Sequence, residues 1–233
     1  MAKSSPPTPP STPPSAMKSA PQSASRSRRT FMVAIGAGAV VVALGVVAIV
    51  ATKSGSDTND EVKTAASVET GPVTVTGTAL PAMPDGDGTD TAVGVKAPIL
   101  NGSTFDGSAI AITPGNRPTL VMFVAHWCSH CQREVPQVVK WLEAGLADGV
   151  DVRVVSTGTD ASLPNYPPSK WLAGEGLDVP TMADSDKTDG ANAYGLSSFP
   201  FFVALDTTGS VTQRMSGELT QEQFGSLVAS AKV

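Results

Sequence analysis

Leu120-Val121-Met122-Phe123-Val124-Ala125 is an unbroken apolar run opened by Thr119, and His126-Trp127-Cys128-Ser129-His130-Cys131 follows it at once. Apolar residues without alternation predict a strand covered on both faces of a sheet. The six residues behind it hold the only two cysteines and the only two histidines among 233 residues, so any cysteine or histidine chemistry must start there. Beyond them Cys131, Val135, Val138, Val139, Leu142 and Leu146 recur at helical spacing. A long amphipathic helix is therefore expected to begin within the cluster, with a kink at Pro136.

Outward from this centre the pattern keeps alternating. Upstream, residues 97–100, 105–107 and 109–112 suggest short strands joined by a turn, and Val73-Thr74-Val75-Thr76 a further short strand. Downstream come a strand over 150–155, an insertion over 164–178 with a short helix near 169–173, and an extended piece at 179–182. A brief helix from about Thr188 ends at Gly195, a residue suited to the position just past a helix end. Phe201-Phe202-Val203-Ala204-Leu205 reads as a buried strand, Asp206-Thr207-Thr208-Gly209 as a hairpin turn, and Thr220-Gln221-Glu222-Gln223 as a capping box opening the last helix. Strand–helix–strand–helix followed by a hairpin and a closing helix predicts an α/β domain with a central mixed sheet flanked by helices. Its expected extent is residues 92–233, one ordinary domain in size.

The segments before it differ in composition. Residues 1–30 carry Lys3, Lys18, Arg26, Arg28 and Arg29, no acid and seven prolines, and read as a disordered, basic, Pro/Ser-rich tail. Residues 31–52 contain no charge, and an apolar run of that length spans a hydrocarbon core of about 30 Å as one helix. Arginines cluster before it and only Lys53 and Lys63 follow soon after. The positive-inside rule then places the tail in the cytoplasm and everything after Lys53 outside the membrane. A cleaved signal peptide is the alternative, but its apolar region is shorter and Val46-Val47-Ala48 makes a poor cleavage site. Residues 53–91 read as a flexible extracytoplasmic linker, with a turn-rich stretch at 81–88.

The 203 residues after the tail hold the other 11 basic and all 21 acidic side chains, a net charge of −10. That balance excludes nucleic acid as the natural partner, because neutralising phosphates takes clustered Lys and Arg. Outside the membrane, disulfides usually join distant segments, and two cysteines three apart would restrain little of the unfolded chain. With Cys128 at the first turn of the helix, backbone N–H groups and the helix dipole favour its thiolate. Cys131 lies one turn deeper on the same side, within disulfide reach. An exposed attacking sulfur and a shielded resolving sulfur make a redox pair, and Cys-x-x-Cys between strand and helix signals one.

Other chemistries fit the spacing less well. His126, Cys128, His130 and Cys131 are four possible zinc ligands, but six consecutive residues at a helix start cannot turn all four inward. A copper site would want a distant histidine, and none exists downstream. Covalent haem attachment needs histidine directly after the second cysteine, where Gln132 stands.

Residues 97–233 resemble the thioredoxin superfamily, and within it the membrane-anchored, extracytoplasmic thiol–disulfide oxidoreductases of the TlpA/ResA type. The resemblance rests on Trp127-Cys128-Ser129-His130-Cys131, on Pro136 five residues beyond the second cysteine, and on Phe199-Pro200. It implies a thioredoxin-like fold in which Cys128 attacks, Cys131 resolves, and the two form a redox disulfide. It also implies a cis Pro200 facing the dithiol and a role for Glu134 in proton movement beside it. No cofactor or metal is implied, since the electrons reside in the sulfurs. The implied partners are an exported protein carrying thiols or disulfides and a membrane redox protein that recycles the dithiol.

Two departures bear on direction. Met122 stands where thioredoxin has a buried aspartate, so proton transfer to the deeper thiol must use water or Glu134. His130, between the cysteines, resembles strongly oxidising relatives, in which histidine there stabilises the reduced thiolate. The branch resemblance favours reduction of exported proteins, as in cytochrome maturation, whereas His130 favours oxidation of secreted proteins. A membrane-tethered metal carrier using the dithiol as ligand is a third possibility. Trp127 and Phe199 are read as shaping the substrate surface, with packing as the plainer alternative. Glu134 could also be an ordinary first-turn acid, Pro200 an ordinary strand-start proline, and His126 a solvated strand-end residue. Trp141, Trp171, Phe201, Phe202 and Phe224 are expected in the core.

Overall fold

The computed structural model describes residues 67–84, 86, 88–113 and 117–233, all within the unit Asn59–Val233. Its strands are β1 (Thr74–Thr76), β2 (Ile99–Ser103), β3 (Ala109–Ile112), β4 (Thr119–Val124), β5 (Asp151–Ser156), β6 (Thr181–Ala183), β7 (Phe201–Leu205) and β8 (Val211–Ser216). The helices are α1 (Ser129–Glu143), α2 (Pro168–Gly174), α3 (Asp189–Ala193) and α4 (Gln221–Ala231). The sheet runs β1-β2-β6-β5-β4-β7-β8, with β3 on the far edge of β2. It is mixed: β4 is parallel to β5 and antiparallel to β7, while β5 and β6 are parallel. β1 and β6 share one edge of β2, at residues 99–101 and at Ser103 respectively.

Every residue of β4 is buried, as its unbroken apolar run requires. Side chains alternate across a strand, so β4 feeds two cores. Leu120, Met122 and Val124 pack with Val135, Val138 and Trp141 of α1 and Phe224, Leu227 and Val228 of α4. Val121 and Phe123 face the opposite layer, among Leu100, Met182, Tyr194, Phe201 and Val203. α1 begins directly beyond β4 and continues through Pro136, while α4 opens on the expected capping box between Thr220 and Gln223. Trp141, Trp171, Phe201, Phe202 and Phe224 are all buried.

The linker expected over residues 53–91 does not end where composition suggested. From residue 67 the chain is laid onto the domain. β1 pairs with β2, Leu80 and Ala92 are buried in the second core, and the Leu80 and Met83 N–H groups donate to the Ala193 and Gly195 carbonyls. The Arg214 guanidinium, fully buried on β8, reaches back to this segment. It donates to the Asp90 carboxylate at 2.8 Å, to the Pro81 carbonyl at 2.9 Å and to the Tyr194 carbonyl at 3.0 Å. Asp90 and Pro81 lie more than a hundred residues from Arg214, so local turn signals around 81–88 carried no trace of the clip. Gly195 is required here: with φ +70°, a Cβ would sit 2.2 Å from the Pro81 carbonyl oxygen.

The tail over 1–30, the anchor over 31–52 and the linker residues 53–66 lie outside the described residues. Among the described residues no helix is long and apolar enough to cross a membrane.

Because Leu80 is a core residue, Leu80→Ala is expected to lower the unfolding free energy by about 2–4 kcal/mol in urea titration. A change below about 0.5 kcal/mol, the usual range for a surface position, would return this segment to the linker.

Candidate active site

Cys128 is the N-cap of α1: its backbone is extended, and its carbonyl accepts the first helical bond, from the Gln132 N–H at 3.0 Å. It is 8% exposed, while Cys131, one turn further in, is wholly buried. The two sulfurs are not joined. Burial pushes the Cys131 thiol well above the ordinary thiol range. A hydrogen bond from the Ala125 backbone opposes that rise, and charge at Cys128, a hydrogen bond with the Cys128 side chain and charge at Glu134 add to it. Both cysteines are buried, against the expected exposed attacking sulfur, but unequally: Cys128 keeps a small opening at the helix start, and Cys131 is sealed beneath it and held as thiol.

The rim is built from two loops. The indole N–H of Trp127 donates to the Gly158 carbonyl at 2.7 Å, and its ring meets that of Phe199 edge-on at 5.8 Å between centroids. A Cβ at Gly158 would meet both rings at ordinary contact distance, so its φ of +61°, and not lack of space, calls for glycine there. The register of β4 with β7, Phe123 opposite Phe201, sets Pro200 level with Val124, where β4 gives way to the cysteine loop. The Phe199–Pro200 peptide is cis. Trp127 and Phe199 both pack on the core cluster that contains Cys128 and Cys131.

Glu134 is not a first-turn acid. It sits in the second turn of α1, 1% exposed, and both its carboxylate oxygens accept from the Leu219 N–H at 3.2 Å. Burial pushes its carboxyl up to about 7; the Leu219 N–H works against that rise and the Glu218 charge adds to it.

His130 points the other way, to the surface. Its Nδ1 lies 2.6 Å from Glu218 Oε1 and 2.9 Å from Arg133 Nη2. A contact of 2.6 Å to a carboxylate oxygen needs a proton between the atoms, so Nδ1 donates to Glu218. Arg133 also donates to Glu218, from Nη2 at 2.6 Å and from Nε at 3.0 and 3.1 Å. Arg133 foremost, then His130, hold the Glu218 carboxyl down at about 2. No local pattern signals Arg133 or Glu218, which are 85 positions apart.

His126 is buried rather than solvated. Its Nδ1 donates to the Pro164 carbonyl at 2.7 Å, and its Nε2 accepts from the Asp160 N–H at 3.2 Å. Gln132 and Asn165 side chains close on its carbonyl at 3.0 and 3.2 Å. The histidine therefore pins the loop after β5, including Gly158, against the cysteine loop. With both ring nitrogens engaged by backbone, it is no ligand for a metal beside the dithiol. Among the described residues no three Cys, His, Asp or Glu side chains gather as a metal site.

Residues 84–229 match the Redoxin family. The chain is 33% identical over 123 residues to the methylamine utilization protein MauD of Methylophilus methylotrophus, covering 51% of this chain and 53% of that one. It therefore spans about half of MauD. It is 27% identical over 145 residues to the thiol-disulfide oxidoreductase ResA of Geobacillus thermodenitrificans, covering 62% of this chain and 80% of the relative. A solved structure from Chlorobium tepidum, described as thiol:disulfide interchange protein DsbE, superposes with a TM-score of 0.51 at 20% identity. The superposition covers 60% of this chain and 96% of that one, and establishes a shared thioredoxin-like fold. The chain belongs to the Redoxin family as a thioredoxin-like member, with thiol–disulfide oxidoreductases among its relatives.

Proposed function

We propose that this protein is an extracytoplasmic thiol–disulfide oxidoreductase, anchored by residues 31–52, that more readily reduces than forms disulfides in exported proteins. The observation that carries the reading is the asymmetric pair: Cys128 at the helix N-cap and rim, Cys131 buried beneath it. In the reducing direction the Cys128 thiolate attacks a substrate disulfide, and one substrate sulfur leaves as thiolate and takes a proton. Cys131 then loses its proton and attacks Cys128, releasing the second substrate sulfur. Two electrons have passed to the substrate and a Cys128–Cys131 bond remains. A membrane redox partner that supplies two electrons and two protons closes the cycle.

Burial makes the Cys131 proton hard to remove, so the second step needs a base. Glu134, whose carboxyl changes charge near neutrality and whose charge acts on Cys131, suits that role. Trp127, Phe199 and Pro200 form the surface that a substrate disulfide would meet. The resemblance of the sequence to the TlpA/ResA branch favours reduction, and the ResA likeness is to a thiol-disulfide oxidoreductase. A second reading, oxidation of secreted proteins, is favoured by His130 between the cysteines, though that imidazole is engaged by Glu218.

Replacing Cys131 with Ser in the full chain is expected to leave mixed disulfides between Cys128 and partner proteins on non-reducing gels, with Cys128→Ser as the blank. Absence of any such species would argue against a protein substrate. Tight stoichiometric zinc or copper binding without disulfide exchange would replace the enzyme reading with a metal carrier. A midpoint potential near about −270 mV fits a reductase and one near about −120 mV an oxidase.

The Glu134 carboxyl also makes stability depend on pH. Its folded value of about 7 lies above the ordinary 4.5, so the fold favours the protonated form. That stability is fully present below pH 4.5 and is lost as pH rises through about 7. The loss is on the order of 3 kcal/mol. Glu134→Gln is expected to remove this decline from unfolding curves measured across that window; parallel curves for the two proteins would contradict the assignment.

A further inference from the structure

Residues 217–219, between β8 and α4, touch three parts of the site in succession. The Gly217 N–H donates to the Pro200 carbonyl at 2.8 Å, Glu218 meets His130 and Arg133, and the Leu219 N–H meets the Glu134 carboxylate. The two backbone bonds hold Glu218 over the first turns of α1, so its position is set by the site and not by side-chain wandering.

The first turns of α1 are electrostatically unusual. A helix N-terminus carries partial positive charge and favours acids, yet α1 has no acid in its first turn, and His130 and Arg133 stand there one turn apart. Arg133 adds positive field beside Cys128, the residue at the helix start, and His130 shares its carboxylate partner. Glu218 is the anion that the helix itself lacks. A single oxygen, Oε1, takes the imidazole and two guanidinium nitrogens together. Arg133 and Cys128 lie within each other's electrostatic reach.

We propose that Glu218 is a positioning residue that withholds the positive charge of Arg133 from Cys128, and so keeps the dithiol toward the reducing end of its range. Positive charge near the sulfur stabilises the reduced, thiolate-bearing state and makes the disulfide more oxidising. Glu218 paired with Arg133 leaves that corner formally neutral, whereas its removal leaves a free guanidinium. The proposal rests on the oxidoreductase reading and deepens it: the oxidising cue of His130 is present in the chain, and the same carboxylate, 88 positions away, engages its imidazole.

The test is the midpoint potential of the full chain, equilibrated with glutathione buffers at pH 8, for the native protein, E218Q, R133Q and E218Q/R133Q. E218Q is expected to become more oxidising, with a roughly tenfold larger equilibrium constant for its reduction, about 30 mV. R133Q is expected to shift the other way, and the double variant to return to within about twofold of native. A merely structural role would move thermal stability without this compensation. If E218Q did not fold, R133Q would decide the matter, since an unchanged or raised potential there contradicts the proposal. An E218Q potential equal to or below native overturns the role of Glu218 alone. Failure of the native chain to equilibrate with glutathione would overturn the oxidoreductase reading and the proposal with it.

Discussion

The site depends on how β4 ends. This strand is covered on both faces and paired on both edges, with β5 on one side and β7 on the other. Few positions in a domain are held so completely. Where β4 runs out, the chain turns within a few residues into α1, and the turn delivers Cys128 at the helix N-cap with Cys131 beneath it. The same strand pairing brings Pro200 and Phe199 to that end of the sheet. Sulfur chemistry needs the attacking group, its partner and the substrate surface in fixed relation. Backbone pairing of β4 sets the frame for that relation, and loop contacts at Trp127 and His126 complete it.

Around this rigid centre the adjustable parts come from three loops. The loop after β5 supports Trp127 through the Gly158 carbonyl and is itself pinned by the buried His126. Residues 197–200 carry Phe199 and Pro200. Residues 217–219 reach Pro200, His130 and Arg133 of α1, and the buried Glu134 in turn. Each controls a different property: the shape of the rim, the approach to the sulfur, and the charge around it.

What the sequence revealed follows the range of the interaction concerned. The run at Leu120–Ala125, the Cys-x-x-Cys pair, the helical spacing beyond it and the Thr220 capping box are local patterns, and the structure shows all four, with α1 ending at Glu143, before the expected Leu146. Pro200 was placed by its resemblance to the superfamily and not by any local rule. Burial of His126 is not legible locally because its partners, Asp160 and Pro164, arrive from the loop after β5, which has no period of its own. The packing of residues 67–91 was missed for the same reason, since its buried anchors are Leu80 against distant core and Asp90 against Arg214. Glu134 was visible as a residue type, but its burial depends on α4 and the loop before it. Glu218 and Arg133 were invisible, being two charged residues far apart on what looked like solvent-facing positions.

The central claim is that the two sulfurs are unequal, Cys128 reactive at the rim and Cys131 shielded and held protonated. Timed alkylation of the reduced full chain at neutral pH, with the modified cysteine located by peptide mass spectrometry, tests it directly. The account expects label on Cys128 well before any on Cys131, with Cys131 reacting at a comparable rate only after unfolding. Equal labelling of the two, or earlier labelling of Cys131, in the folded protein would contradict it.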